Sequence, residues 1–169
     1  MELISVQRRS ELIAGARTSL KLELRDNYAA DAESLAAWRR GGAAEARKLV
    51  QPYADQLAPK ISAGEKVLRR VKILSEPPSE YMRHALDVAG ALVDAGEDIR
   101  WLPRRLASTL LLPGNDFFIL DSQLVIFNVL DGEDSRAEQQ LYTAPDVVDR
   151  CQAAFDAAWE LAVPHHDYR

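Results

Sequence analysis

The sequence predicts an α/β protein in which helices flank a mixed sheet, and three observations lead to that fold class. The stretch "TSLKLEL" (18–24) alternates polar and apolar side chains, the period of a strand. The stretches "RRVKILSEP" (69–77) and "DIRWLP" (98–103) read as strands on either side of a helical pattern. Short strand–helix–strand units of this kind form parallel pairs. Two short apolar runs around residues 121–123 predict an antiparallel hairpin.

The N-terminal third is expected to contain short helices around the first strand. Residues 2–16 favour a helix that ends near Gly15. In the strand at 18–24, the leucines face one way and three polar residues the other, as in a half-buried strand: Ser19, Lys21 and Glu23. A helix should then begin at Asp31, whose side chain is a suitable N-cap, and end after Arg40.

The next segment is helical by composition but contains helix breakers. Gly41 and Gly42 are expected to end the preceding helix. Residues 43–63 favour helix, and Pro52 and Pro59 should interrupt or kink it.

The strand–helix–strand unit carries the clearest signals. Pro77–Pro78 ends its first strand, Ser79 can cap the helix, and Gly96 stands where a left-handed C-terminal residue belongs. Apolar residues recur three and four positions apart along one helical face: Met82, Ala85, Leu86, Ala89, Leu92 and Val93.

The C-terminal part predicts a hairpin followed by a helix. Residues 117–120 and 124–130 are too short and too rich in Phe, Ile, Val and Leu for helices, and "QQLYT" suggests an edge strand. The last helix starts near Pro145 and Pro164 ends it. Its buried stripe should comprise Val148, Cys151, Phe155, Ala158, Trp159 and Ala162.

Composition limits the class of protein. The 169 residues suit one domain, with 47% hydrophobic and 28% charged residues. The net charge is −5 and basic residues are scattered, so we expect no direct nucleic-acid binding. One cysteine, Cys151, excludes an internal disulfide and fits a reducing compartment. No signal peptide or membrane-spanning run is recognisable, which predicts a cytoplasmic protein without membrane contact.

The best candidate binding site lies at the carboxyl ends of the predicted parallel strands. Glu76 ends one strand and Tyr81 begins the helix after it, while Arg100, Trp101 and Arg104 lie on or after the next strand. Ligands bind typically at such strand ends, and an arginine there can grip a carboxylate or phosphate with two bonds. The alternative is an ion pair between Glu76 and one of the arginines.

Other chemistries find little support. Adjacent His165 and His166 lack a third ligand for zinc, and His84 falls at the boundary of an apolar helical face, so no metal and no cofactor are predicted. Cys151 lies on an apolar helical face, which favours a core position over a nucleophile. The glycine-rich nucleotide-binding loops and the G-x-S-x-G hydrolase motif are absent from the sequence.

The chain resembles an uncharacterised actinobacterial family of Streptomyces type. The stretches that carry the resemblance include "KLELRDNY", "RRVKILSEPPSEYMRHAL", "GEDIRWLPR" and "CQAAFDAAWELAVPHHDY". The family's members are often encoded beside helix-turn-helix regulators, which implies such a regulator as a partner. No catalytic residues come with the resemblance.

The order of elements is also similar to one half of a phospholipase D-like domain. This implies an N-terminal strand and helices at 1–66 and a β-α-β-hairpin-α core at 67–169 within a single domain. The catalytic signature of that superfamily is H-x-K-x-x-x-x-D. If Asp121 takes the Asp position, Gly114 and Asp116 replace the nucleophilic His and the phosphate-binding Lys. Asp121 has a sufficient local role in the turn.

The first functional hypothesis is therefore a non-catalytic regulatory or binding protein. It would act with a helix-turn-helix regulator or sense a small ligand near Glu76, Tyr81, Trp101 and Arg104.

Two alternatives remain open. One is a dimeric phosphodiesterase or nuclease with atypical groups drawn from Glu76, Arg104, Asp116 and Asp121. The other is a structural subunit that mediates assembly through its surface. Because single phospholipase D-like halves tend to pair, the resemblance implies a homodimer.

Overall fold

The computed structural model of the chain describes residues 1–168, which form an eight-stranded mixed sheet and four α-helices. The strands are β1 (Glu2–Leu3), β2 (Thr18–Glu23), β3 (Val67–Leu74), β4 (Asp98–Pro103), β5 (Asp116–Leu120), β6 (Leu124–Leu130), β7 (Arg136–Tyr142) and β8 (Val163–Pro164). The helices are α1 (Val6–Gly15), α2 (Ala32–Ser62), α3 (Glu80–Asp94) and α4 (Pro145–Leu161). The predicted α/β class is confirmed.

The strand order is β1-β7-β6-β5-β2-β3-β4-β8, so the N-terminal strand β2 lies inside the sheet. It pairs in parallel with β3 and antiparallel with β5. The predicted strand–helix–strand unit is present, with β3 and β4 parallel and α3 between them in the chain. The β5–β6 hairpin is also present, and β7 extends it as a meander.

Several local signals act as predicted. The Ser79 hydroxyl accepts a hydrogen bond from the Met82 amide at 3.1 Å and caps α3. Gly96 follows the helix with φ +102°. Gly41 and Gly42 have non-helical backbone and divide α2 into two helical segments.

Three expectations are wrong in detail. Asp31 precedes α2, but its side chain makes no capping bond and accepts instead from the Tyr81 hydroxyl. Pro52 and Pro59 do not interrupt the helix, whose non-helical residues are the two glycines. The strand containing "QQLYT" is not at the edge, because β1 pairs outside β7.

The two faces of the sheet differ in chemistry. Helix α4 packs on one face over a continuous apolar cluster that includes Leu22, Ile73, Phe117 and Phe155. Helices α1, α2 and α3 cover the other face, where two separate apolar clusters lie below α1 and below α2 and α3. Within residues 1–168 no helix has the length and apolar character needed to cross a bilayer.

Substitution of the glycine after α3 tests the packing of α2 on α3. A Cβ at Gly96 would lie 2.8 Å from Ile61 Cγ2, whereas one at Gly64 (φ +72°) would meet nothing within 4 Å. Both changes to alanine strain a left-handed backbone, at about 1 kcal/mol each. We expect Gly96→Ala to lower the free energy of unfolding by roughly 1–3 kcal/mol more than Gly64→Ala, because only it overpacks the interface. Urea denaturation of both variants measures the difference, and equal losses would contradict the packing argument.

Candidate functional site

Ion pairs occupy the carboxyl edge of the parallel strands, where the sequence predicts a ligand site. Arg105 Nε lies 2.9 Å from a carboxylate oxygen of Glu76, so the ion-pair alternative describes Glu76. Arg104 donates to Ser75 Oγ at 3.0 Å, to the Leu24 carbonyl at 2.7 Å and to Asp26 at 3.0 Å. Arg104 thereby ties the end of β2 to the end of β3.

The other residues predicted for that edge lie elsewhere. Tyr81 is buried and its hydroxyl donates to Asp31. Trp101 is fully buried, and its indole N–H donates to His165 Nδ1 at 3.0 Å. Arg100 stacks on the Trp159 ring, with its guanidinium carbon 3.8 Å from the ring centroid. These contacts fix core and sheet-edge positions and leave no shared site among the three.

The two aspartates of the hairpin stand at opposite ends of β5. Asp121 has φ +51° in the turn after the strand, and its carboxylate accepts from the Thr18 amide at 2.7 Å and the Arg17 amide at 3.3 Å. Asp116 begins the strand, is buried, and accepts from the Leu24 amide at 2.8 Å. The predicted cluster of Glu76, Arg104, Asp116 and Asp121 is therefore not one site.

The histidine predicted for a boundary position is in the core. His84 is only 2% exposed, and its Nε2 lies 2.8 Å from Ser34 Oγ. Burial lowers the pKa of His84. Cys151 is buried as expected, and burial raises the pKa of its thiol to about 11, which makes it a poor nucleophile.

A row of buried polar side chains crosses the sheet on the face below α1 and α2. The register pairs Lys72 with Glu23, Asp116 with Asn128, and Asn128 with Gln139. Extending the β2–β5 register by one position sets Asp116 opposite Glu23. All five side chains are only 4–7% exposed. Buried polar groups at this density require partners, so this polar row sets a strong constraint on the fold.

Glu23 is the anion that holds the surrounding cations. Its carboxylate oxygens lie 2.5 Å from Lys21 Nζ, 3.0 Å from Lys72 Nζ and 3.8 Å from Arg70 Nη1. Burial raises the pKa of Glu23, but Lys21, Lys72 and Arg70 outweigh it and hold the pKa well below its usual range. Arg70 also pairs with Glu97 at 2.8 Å.

The pKa of Asp116, the second carboxyl group of the polar row, is shifted in the opposite direction from that of Glu23. Burial, and then the neighbouring Glu23, raise the pKa of Asp116 above its ordinary value. Arg9 reaches the row from α1, donating to Asn128 Oδ1 at 2.9 Å while it stacks on Phe118. Burial and the charge of Arg136 lower the pKa of Arg9 to about 10. The region is therefore unfavourable for further positive charge.

A cavity of about 430 Å³ opens beside this network, between α1, the second segment of α2 and the sheet. We call it the basic pocket. Its apolar and aromatic walls include Tyr53, Leu57 and Phe118. It is lined by five cationic side chains and by no carboxylate: Arg9, Lys21, Lys60, Lys66 and Arg70. A cavity of this size with positive walls suits a small anionic molecule.

The sequence reading missed these residues for an identifiable reason. Lys21 and Glu23 were expected on the open face of a half-buried strand, but β2 is covered on both faces. One available signal was the matching alternation in β3, where Arg70 and Lys72 point to the same face of the sheet as their register partners Lys21 and Glu23. Charged residues alternating on two neighbouring strands indicate an ionic layer once those strands are known to be central.

Comparison with known proteins identifies the family, whose description names no function. The sequence model of the family described as "Domain of unknown function (DUF6879)" matches residues 7–169. No curated protein matches the chain.

Neutralising Glu23 should destabilise the protein strongly. Glu23→Gln leaves Lys21, Lys72 and Arg70 without their shared anion in a buried setting, so we expect a loss of about 3–5 kcal/mol in the free energy of unfolding. Since the pKa of Glu23 is lowered in the folded state, its contribution is present above the unfolded value of 4.5 and is lost as pH falls below it. Urea denaturation at pH 7 measures the loss, and a change below 1 kcal/mol would contradict the network.

Neutralising Asp116 should instead stabilise the protein at neutral pH. Its pKa is raised in the folded state, so ionisation destabilises the fold as pH rises above the unfolded value of 3.8. Asn at this position can still accept from the Leu24 amide. We expect Asp116→Asn to be as stable as the parent at pH 4, with an advantage that grows on going to pH 7. Denaturation curves at both pH values test this, and a variant less stable than the parent at pH 7 would refute it.

Proposed function

Because the chain belongs to this family, whose description assigns no activity, we propose from the geometry of the basic pocket that it is a non-catalytic binding protein for a small organic anion. The supporting observation is the set of five cationic side chains without a carboxylate in one cavity. The whole chain carries a net charge of −5. Lys21 and Arg70 are paired with Glu23 and Glu97, and Arg9, Lys60 and Lys66 add further positive charge to the pocket wall. Clefts of one sign concentrate ligands of the opposite sign.

The pocket also limits what the anion can look like. A volume of about 430 Å³ lies in the range of small-molecule sites, well above what an inorganic ion fills. Tyr53, Leu57 and Phe118 offer apolar and aromatic surface. Arg9 offers a guanidinium group, which matches carboxylate or phosphate oxygens, whereas Arg70 is engaged by Glu97 and Glu23. The ligand in this proposal has a phosphate or carboxylate at one end and an aromatic or apolar body.

In this proposal the bound anion is a regulatory signal. The resemblance to a family encoded beside helix-turn-helix regulators supports such a regulator as the partner that responds, and supports an actinobacterial origin. The similarity to a half phospholipase D-like domain supports a homodimer. Gly114 and Asp116, where that superfamily has its His and Lys, support a role without catalysis.

A phosphodiesterase or nuclease is the second candidate, and one observation favours it. Glu23 and Asp116 are adjacent carboxyl groups whose pKa values are shifted in opposite directions. Such pairs often divide the work of acid and base. The space directly at this pair is only about 70 Å³, too small for a phosphodiester. Binding in the larger basic pocket is therefore the better supported reading.

The binding proposal predicts a defined ligand preference. Phenyl phosphate should bind with one-to-one stoichiometry by isothermal titration calorimetry, more tightly than inorganic phosphate and than phenol, because it engages both the cations and the aromatic walls. Arg9→Gln and Lys60→Gln should each weaken binding about tenfold, which corresponds to one lost charge-assisted contact.

The control uses a cation outside the pocket. Arg150 lies on α4, on the opposite face of the sheet, and Arg150→Gln removes the same charge. It should leave phenyl phosphate affinity unchanged. Lys60 is exposed, so Lys60→Gln keeps the fold even if Arg9→Gln perturbs it. Equal weakening in all three variants would indicate a general charge effect and reject the pocket.

The two candidate functions are separated by turnover. We expect the parent protein to release no p-nitrophenolate from bis(p-nitrophenyl) phosphate, with or without divalent metal ions. Release that disappears in Asp116→Asn would instead establish the hydrolase and overturn the non-catalytic proposal.

A further inference from the structure

A second cavity, on the opposite face of the sheet, has a different character. It has a volume of about 720 Å³ and lies between α4, the loop at 107–115 and strands β6 and β7. Its lining is mainly apolar and includes Leu111, Pro113, Phe127 and Tyr142. We call it the α4 groove.

The helix side of the α4 groove is shallow because the exposed side chains that line it are small. Ala153 and Ala157 line it, four positions apart and both exposed. Residues at this spacing stand one above the other on a helix. Leu161 continues from Ala157 at the same spacing and is 44% exposed. A flat alanine surface lets a second helix approach closely, as in ridge-and-groove packing.

The loop side carries an apolar side chain with no cover. Leu111 is 96% exposed, the highest value among the exposed large hydrophobic residues of the described chain. It lines the α4 groove together with Leu112 and Pro113. An apolar patch of this kind is typical of a surface that another protein covers.

The charge around the groove selects among possible occupants. The exposed surface of α4 carries four carboxylates and one guanidinium: Asp146, Asp149, Asp156, Glu160 and Arg150. Arg150 is already paired with Asp146 at 2.8 Å. In a two-fold dimer through this face the same patch would meet itself, and acidic side chains would oppose acidic side chains. A basic partner is complementary.

We propose that the α4 groove is the docking site for an amphipathic helix of a partner protein, with a leucine-type apolar face and lysine or arginine along its edge. The apolar face fills the space beside Leu111, Phe127 and Ala157, as in helix-in-groove recognition. The basic edge faces Asp149, Asp156 and Glu160. This proposal is independent of the anion proposed for the basic pocket, which lies on the other face of the sheet.

A peptide probe tests the proposal. The probe is a fluorescent 15-residue helical peptide with leucines on one face and lysines on the other, compared with a scrambled peptide of equal composition and with a glutamate version. Fluorescence anisotropy should show the amphipathic lysine peptide binding at least tenfold more tightly than either comparison peptide. Ala157→Gln fills the groove without changing charge and should weaken binding at least tenfold.

The matched control is Ala44→Gln, an exposed alanine on α2 away from the groove. It should bind the peptide like the parent, and thermal unfolding checks that both variants are folded. Equal binding by Ala157→Gln and Ala44→Gln would overturn the proposal. So would sedimentation that shows a dimer of the parent and a monomer of Ala157→Gln, because a second copy would then occupy the groove.

Discussion

The rest of this fold depends on the pairing of Glu23 with Lys21, Lys72 and Arg70 inside the sheet. Removing several charges from water is unfavourable unless each finds a partner with good geometry. Two parallel strands in fixed register supply that geometry, because Glu23 lies directly opposite Lys72 and Lys21 directly opposite Arg70. A shift by one residue would turn these charges into the apolar cluster under α4. The ion pairs among Lys21, Glu23, Arg70 and Lys72 therefore specify the β2–β3 register.

The same pairing of charges explains the open space between α1 and α2 on this face of the sheet. Long charged side chains separate the apolar cluster below α1 from the one below α2 and α3. Helices α1 and α2 pack on their own clusters, and the gap between them is the basic pocket. Lys66 closes one end by donating to the carbonyls of Ala14 and Ala16 at the end of α1. A cavity with charged walls thus follows from placing charges where an apolar core would otherwise be continuous.

Most elements could be predicted from sequence because their signals are local. Ser79, the glycine pair at 41–42 and Gly96 fix helix ends through their own backbone and side-chain chemistry. The site could not be read in this way. Whether Lys21 faces solvent or a covered layer depends on β2 lying between β3 and β5, and those strands are about 45 and 95 residues away in the chain. Arg104 illustrates the same limit. The sequence correctly predicts that it follows the end of a strand, but not that its guanidinium already donates to Ser75 and Asp26.

The β5–β6 hairpin joins the two faces. Successive residues of a strand point to opposite sides of the sheet. Phe127 therefore lines the α4 groove, whereas the next residue, Asn128, accepts from Arg9 in the polar row. On β5, Phe117 belongs to the core under α4 and Asp116 to the polar row on the other face. Because side chains alternate along one backbone, a substitution at Phe127 alters the α4 groove. A substitution at the next residue, Asn128, alters the hydrogen bond that holds Arg9 of the basic pocket. The hairpin predicted from two short apolar runs therefore contributes to both an apolar surface and a charged one.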